Sequence, residues 1–230
     1  MLRRVQAAAG WTAIAAVLMS GCGGTDTPTP APSVASAKPA NPDDRVAREA
    51  IIRLDAFPAG WLQGERGKGG SACLSPVRRA ASGTAASPSF RHQSQQAQSA
   101  AYVFQTTAEA RQALRRLTSA QTRRCYARES SEAFRAHTDT AFQRVQAQAL
   151  DVRGFGAEGG GSRMRFSPSV QNHRTDVVID LVALRVGRVV GLELLFGSPR
   201  PLDARVQARL AQRHVALLRT ATEEPPAPAA

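Results

Sequence analysis

The most continuous apolar pattern in the chain runs from Thr175 to Phe196. Val177-Val-Ile-Asp-Leu-Val-Ala-Leu184 is followed by Arg185-Val-Gly187-Arg188 and then by Val189-Val-Gly-Leu-Glu-Leu-Leu-Phe196. Two β-branched runs around a glycine predict a long β-hairpin with a largely buried face. Upstream, Val46, Ala47, Ala50, Ile51 and Leu54 recur at three- and four-residue spacing. They predict a helix capped by Asp43 or Asp44 and ended by Phe57-Pro-Ala-Gly-Trp61. A loop from Gly64 to Gly70 and a short helix over Cys73–Ala81 follow. Ser99–Gln105, with Tyr102, Val103 and Phe104, reads as a buried strand. Thr106-Thr-Ala-Glu109 is a capping box: Thr106 accepts from a first-turn amide while Glu109 reaches back. The helix it opens carries Ala110, Leu114, Leu117 and Gln121 on one side and is expected to end near Cys125. The stretch 138–152 reads both ways, because Phe134, Thr138, Ala141 and Val145 have helical spacing whereas Val145, Ala147 and Ala149 alternate as in a strand. Ser162–Val170 predicts a short strand. Pro199 and Pro201 break the hairpin, and Asp203–Ala221 predicts a helix with Leu202, Val206, Leu210, Leu217 and Ala221 along one stripe.

This order predicts an α+β domain, an antiparallel sheet packed by helices mainly on one face, with the other face partly open as a place for a ligand groove. No internal repeat is present. Of 230 residues, 43% are hydrophobic, 21% charged and 5% aromatic, which is too apolar for wholesale disorder and too polar for a multi-span membrane protein. The length suits one domain.

The ends lie outside that pattern. Met1-Leu-Arg-Arg4 is cationic, Val5–Met19 is apolar but shorter than a spanning helix needs, and Ser20-Gly21-Cys22 closes the stretch. Met19-Ser20-Gly21-Cys22 resembles the lipobox of bacterial lipoproteins, with Met19 where Leu is usual. That resemblance implies diacylglyceryl attachment to Cys22 after removal of residues 1–21 as a signal peptide. An ordinary secretory signal or a short uncleaved anchor are the other readings. Residues 22–42, rich in Pro, Thr and Ser, read as a tether, residues 43–222 as the foldable domain, and residues 223–230 as a disordered tail. Two acyl chains hold a protein to a bilayer where one is marginal, so the expected location is the extracytoplasmic face of the cell membrane.

Cys73 and Cys125 are the other two of three cysteines. Outside the cytoplasm thiols pair where geometry allows, and a bridge between them would contribute about 4 kcal/mol by restricting the unfolded chain. A buried free thiol and an intermolecular bridge are the alternatives.

Cys73, the Tyr102-Val-Phe-Gln-Thr-Thr-Ala-Glu-Ala110 strand-to-helix passage, Cys125, the Val177–Phe196 hairpin across Arg185-Val-Gly-Arg-Val189 and a closing helix together resemble the PknH-like extracellular sensor domains of actinobacteria. These occur on membrane kinases and as free-standing lipoproteins. The resemblance implies an α+β sandwich with a cleft over the sheet, a ligand-sensing role without catalysis, and a strand for 140–152. The chain departs from the kinase-linked sensors in having fewer cysteines, and no kinase domain lies within its residues.

The remaining motifs carry little chemistry. Gly154-Phe-Gly-Ala-Glu-Gly159 is formally G-x-G-x-x-G, but Gly160-Gly-Ser and Arg163-Met-Arg-Phe166 follow where a nucleotide site needs a helix, so it reads as a loop. His92, His137, His173 and His214 form no i, i+4 pair and sit beside no second ligand, so neither a metal nor another cofactor is expected. His214 reads as a residue at the edge of the last helix's apolar stripe. No G-x-S-x-G elbow supports a hydrolase. Asp176 and Asp180 fall on one strand face, with Arg174 and Arg185 as nearby partners.

Charge is the feature left over. The chain has 30 Lys+Arg against 18 Asp+Glu, a formal charge of +12, and nearly all of the basic residues are Arg, with doublets at 78–79, 115–116 and 123–124. Such a surface attracts polyanions over about a Debye length. Export and the lack of interleaved aromatics argue against nucleic acid. Anionic lipid headgroups or acidic envelope glycans are the expected partners, unless the charge is only a solvated surface; no protein partner can be read. The sequence therefore leads to an expected membrane-anchored envelope lipoprotein with a non-catalytic ligand-binding domain. The alternative is a structural or accessory lipoprotein acting through protein–protein contacts, with an envelope hydrolase a distant third.

Overall fold

A computed structural model describes residues 41–65, 70–137, 142–152, 155, 157–170 and 173–223, with side chains left aside at 136–137, 142–144, 168–170 and 173–174. Cys22, the signal and most of the tether, and tail residues 224–230 lie outside the described residues, as do Gly154 and Gly156 of the glycine-rich motif.

The hairpin read from Val177 to Phe196 stands at the centre. β8 (Val177–Val186) and β9 (Val189–Gly197) pair antiparallel across Gly187-Arg188, and Gly187 has φ +55°, a left-handed conformation that tight hairpin turns need and that glycine adopts without a steric penalty. The other strands are β1 (Leu62–Gln63), β2 (Gly83–Ala86), β3 (Phe90–His92), β4 (Gln95–Val103), β5 (Phe142–Leu150), β6 (Glu158–Val170) and β7 (His173–Arg174). Their order is β1-β3-β4-β9-β8-β6-β5, every pairing antiparallel, with β2 on the C-terminal half of β4 and β7 beside β6. The ambiguous stretch after 138 is thus strand over Phe142–Leu150, and residues 138–141 lie outside the described residues.

The α+β class and the antiparallel sheet of a single domain agree with the sequence. The helices, expected mainly on one face, cover both. Along β8 the side chains of Val177, Ile179, Leu181 and Ala183 meet one cluster, together with Tyr102, Leu114, Leu117, Phe134 and Leu192. This side is covered by α2 (Ser75–Ala80), α3 (Thr107–Leu117) and α4 (Ala120–His137). The intervening Val182 and Leu184 meet Ala47, Ala211, Val215 and Leu218 under α1 (Pro42–Glu49) and α5 (Ala204–Thr222). The reason was visible in the pattern: Val177–Leu184 is buried at every position, and a strand without polar alternation needs cover on both sides.

Local rules account for most boundaries. The capping box is present, with Glu109 N–H donating to Thr106 Oγ1 and Thr106 N–H to the Glu109 carboxylate, each at 3.1 Å. The helix it opens stops at Leu117 rather than near Cys125. Thr118 Oγ1 turns back to Leu114 O, and Ser119 Oγ accepts the Thr122 amide to start α4, which places Cys125 inside the second helix. The first helix ends at Glu49, followed by a 3-10 turn at Leu54–Ala56. Its cap is Asn41, whose side chain accepts the Asp43 amide at 3.0 Å.

Asp43 and Asp44 serve instead to seat α1. Asp44 accepts the Thr84 amide, and the Asp43 carboxylate meets Arg188 at 2.7 Å and the Ser82 hydroxyl. The hydrogen bond from Arg188, opposed by burial and helped by Ser82, holds the Asp43 carboxyl below its usual 3.8. A depressed carboxyl pKa contributes stability that is present above 3.8 and lost as pH falls through the lower folded value. Asp43→Asn is therefore expected to lower the urea midpoint at pH 6, and the gap from wild type should close below about pH 3.8.

Candidate functional site

Beside the α2–α4 layer the sheet is not fully covered. A cleft of about 400 Å³ opens there, within the size range of small-ligand sites. Its floor is apolar: Ala100 and Tyr102 of β4, Leu192 and Leu194 of β9, and Leu181 of β8 all point to the same side of the sheet. The strand register produces this floor, because Ala100 lies opposite Leu192, and Leu181 opposite Leu194. Leu74, Arg78 and Tyr126 form one wall, with Ser71 and Gly70 at its edge; Thr84–Ala86 of β2, Arg48 of α1 and Ile51 just after that helix form the other.

The first wall is fastened covalently. Cys73 and Cys125 are bridged, with their Cα atoms 5.8 Å apart, and this ties the 3-10 turn Ala72–Leu74 to α4. Glu129, one turn further along α4, accepts from the Ser71 hydroxyl at 2.5 Å and from the Ala72 amide at 3.2 Å. Three links therefore hold Ser71–Cys73 against one helix flank, and the polypeptide that follows them carries Leu74 and Arg78 to the cleft.

Beside the hydroxyl and amide groups of Ser71, Thr84, Gln98, Ser99 and the two tyrosines, the lining has two charged side chains, both cationic. Arg48 and Arg78 are exposed at the rim, and among the described residues neither has a carboxylate within ion-pair distance. Burial pushes the Tyr102 phenol up, with Arg78 pulling it partly back. Burial also pushes the Tyr126 phenol well above its ordinary range, and Glu129 and Tyr102 add to the shift. Both phenols stay protonated at neutral pH. The arrangement suits a ligand with an apolar body on the floor and an anionic group at the rim, where each charged hydrogen bond is stronger than a neutral one.

The sequence-marked groups elsewhere do not gather here. Asp176 and Asp180 are separated in role: Asp180, 1% exposed, receives Arg163 through two hydrogen bonds of 2.7 Å, and Asp176 accepts from Ser167 Oγ. Arg163 is thus the partner of Asp180, because β6 sets it directly opposite, while Arg185 pairs with Glu158 and the side chain of Arg174 lies outside the described ones. The side chains of His137 and His173 lie outside the described ones, and His92 stacks on Trp61 with ring centroids 5.9 Å apart.

His214 is not an edge residue. It is 0% exposed, and its Nδ1 lies 3.1 Å from Oε1 of Glu193, also 0% exposed, between α5 and β9 on the face away from the cleft. The ring is admitted by a glycine, since a Cβ on Gly191 would stand 2.6 Å from His214 Nε2. Among the described residues that nitrogen and Glu193 Oε2 have no hydrogen-bond partner, and no described serine lies against this histidine as a nucleophile would. Sequence reading missed the pair because Glu193 interrupts an apolar strand and His214 an apolar stripe twenty-one residues later, and only the fold brings the two together. Among the described residues no group of three His, Cys, Asp or Glu side chains is placed to hold a metal ion, and no helix is long and apolar enough to cross a membrane.

No protein-family model and no curated protein matches this sequence. Among solved structures, the chain is similar to the extracellular domain of PknH from Mycobacterium tuberculosis. The TM-score is 0.42 and the identity 9%, over 79% of this chain and 97% of that one. At those values the similarity assigns neither a family nor an activity.

Removing the bridge tests how far the first wall depends on it. Cys73→Ser with Cys125→Ser is expected to lower unfolding stability by about 2–5 kcal/mol. Limited proteolysis should then cut between Gly70 and Leu74 before it cuts within β8 or β9, because only the two Glu129 hydrogen bonds would remain to hold that segment.

Proposed function

We propose that this chain is an envelope lipoprotein, held by acyl groups on Cys22 to the extracytoplasmic face of the membrane, whose domain binds an amphipathic anionic ligand without chemical turnover. The observation that carries the binding reading is the pairing of an apolar floor with two guanidinium groups at the rim that, among the described residues, have no carboxylate within ion-pair distance. A ligand lying on Ala100, Leu192 and Leu194 gains from removing apolar surface from water on both sides. Its anionic end gains from charged hydrogen bonds to Arg48 and Arg78 at the rim. The disulfide supports an address outside the cytoplasm, where such bridges persist.

A contact surface for another protein, the alternative role, has less support. The exposed large apolar side chains among the described residues are Leu54, Leu62 and Val145, which fall on three separate elements; singly scattered apolar residues are ordinary on protein surfaces.

Two experiments test the two halves. For binding, decanoate and decanol are titrated calorimetrically against the full chain. Arg78→Ala is expected to weaken decanoate about tenfold and leave decanol unchanged, while Leu194→Trp, which fills the floor, should weaken both. Absence of decanoate binding, or binding indifferent to both substitutions, would overturn the reading. For anchoring, labelled palmitate should enter the wild-type chain in its own cells and be lost in Cys22→Ala. Equal labelling of the two would refute attachment at that residue.

A further inference from the structure

The arginines are unevenly distributed between the two helical layers. The layer on the cleft side, residues 75–80 and 107–137, carries nine Arg against three Glu. The layer on the other face, α1 and α5 (residues 42–49 and 204–222), carries six Arg against three Asp and Glu. Two of the three glutamates on the cleft side are already engaged, Glu109 in its capping box and Glu129 with Ser71 and Ala72. Glu132 alone remains as an exposed acid in that layer.

The outward stripes of α3 and α4 are cationic. Arg124 and Arg128 lie four residues apart on α4, and Arg115 and Arg116 occupy the exposed side of α3. All four are exposed and, among the described residues, have no carboxylate within ion-pair distance. A two-residue turn, Thr118-Ser119, joins the helices, so both stripes belong to the same side of the sheet. Like charges gathered on one surface repel one another and leave the folded protein with a local field that an extended anionic surface would relieve.

We infer that the outer surface of α3 and α4 is a docking surface for an anionic phospholipid bilayer. A bilayer fits better than a small anion because the charges are spread along two helices rather than converging on a point. Charge complementarity is the first argument, since each arginine brought to an anionic leaflet raises partitioning roughly fivefold. Reach is the second. The segment from Cys22 to Asn41 spans up to about 60 Å if extended as a proline-rich chain, against a diameter of about 40 Å for a domain of this size. The domain is therefore free to turn its α3–α4 side to the membrane although α1, where that segment enters, packs on the opposite face. In that orientation Arg78 and the cleft wall lie on the membrane side. Docking through these charges needs neither an occupied cleft nor acylation of Cys22, whereas the reach of the tether rests on the anchoring proposed above.

The test is vesicle sedimentation of the full chain carrying Cys22→Ala, so that acyl groups contribute nothing. Vesicles of phosphatidylcholine with about 30% phosphatidylglycerol, whose negative surface potential attracts basic segments, are compared with pure phosphatidylcholine at low and high salt. The chain is expected to prefer the anionic vesicles at low salt and to lose that preference at high salt. The triple variant R115Q/R124Q/R128Q should reduce the preference by roughly a hundredfold at low salt, with unchanged circular dichroism. R205Q/R209Q/R213Q, with the same charge change on α5, should reduce it far less. Equal losses in the two triple variants would show that net charge, not this surface, is responsible, and would overturn the inference. So would an absence of preference in the parent chain, or retention on an acidic polysaccharide without vesicle binding.

Discussion

The double burial of the β8–β9 hairpin is the constraint from which the rest of the architecture follows. From Val177 to Leu184 every residue is buried, and each aliphatic group so buried contributes about 1.5–3 kcal/mol relative to exposure. A strand of that kind is stable only in the middle of a sheet with something packed above and below. β4 and β6 supply the flanking ladders, α3 and α4 one cover, α1 and α5 the other. Antiparallel pairing through short turns allows those covers to come from distant stretches of sequence without a crossover at every step.

The cleft follows from an unequal cover. α3 and α4 pack over β8, β9 and the β5–β6 side, whereas among the described residues the β2–β4 side on that face has only α2 and the turn before it. The bridge from Cys73 to Cys125 keeps that slight element close to the sheet without letting it fill the space. On the opposite face the cover is complete enough to enclose Glu193 and His214 with no solvent contact. Enclosing a hydrogen-bonded pair is far less costly than leaving either group alone in the interior. The two faces thus divide the work, one sealing the core and the other leaving an opening.

How much of this was legible depended on whether the signal was local. The hairpin, the capping box at Thr106 and the last helix from Asp203 could be read because each is specified by neighbours within a few residues. β2 and β3 could not: Gly83–Ala86 and Phe90–His92 are too short for periodicity and exist because β4 offers them an edge. The break at Thr118-Ser119 was missed because Gln121 and Cys125 continue the helical spacing across it. The one-sided cover was misjudged although the unbroken apolar run of β8 contradicted it. The cleft was expected over the sheet, yet its two rim arginines, Arg48 and Arg78, could not be singled out among twenty-eight, because thirty residues of chain separate side chains that the fold brings to one opening.

The central claim is that an amphipathic anion occupies the floor made by β4, β8 and β9. Methyl NMR of the full chain during titration with decanoate tests it most directly. Shifts concentrated at Ala100, Leu181, Leu192 and Leu194, with Val182, Val215 and Leu218 on the sealed face unmoved, are the result the account predicts. Shifts spread evenly over both faces, or confined to the sealed one, would contradict it.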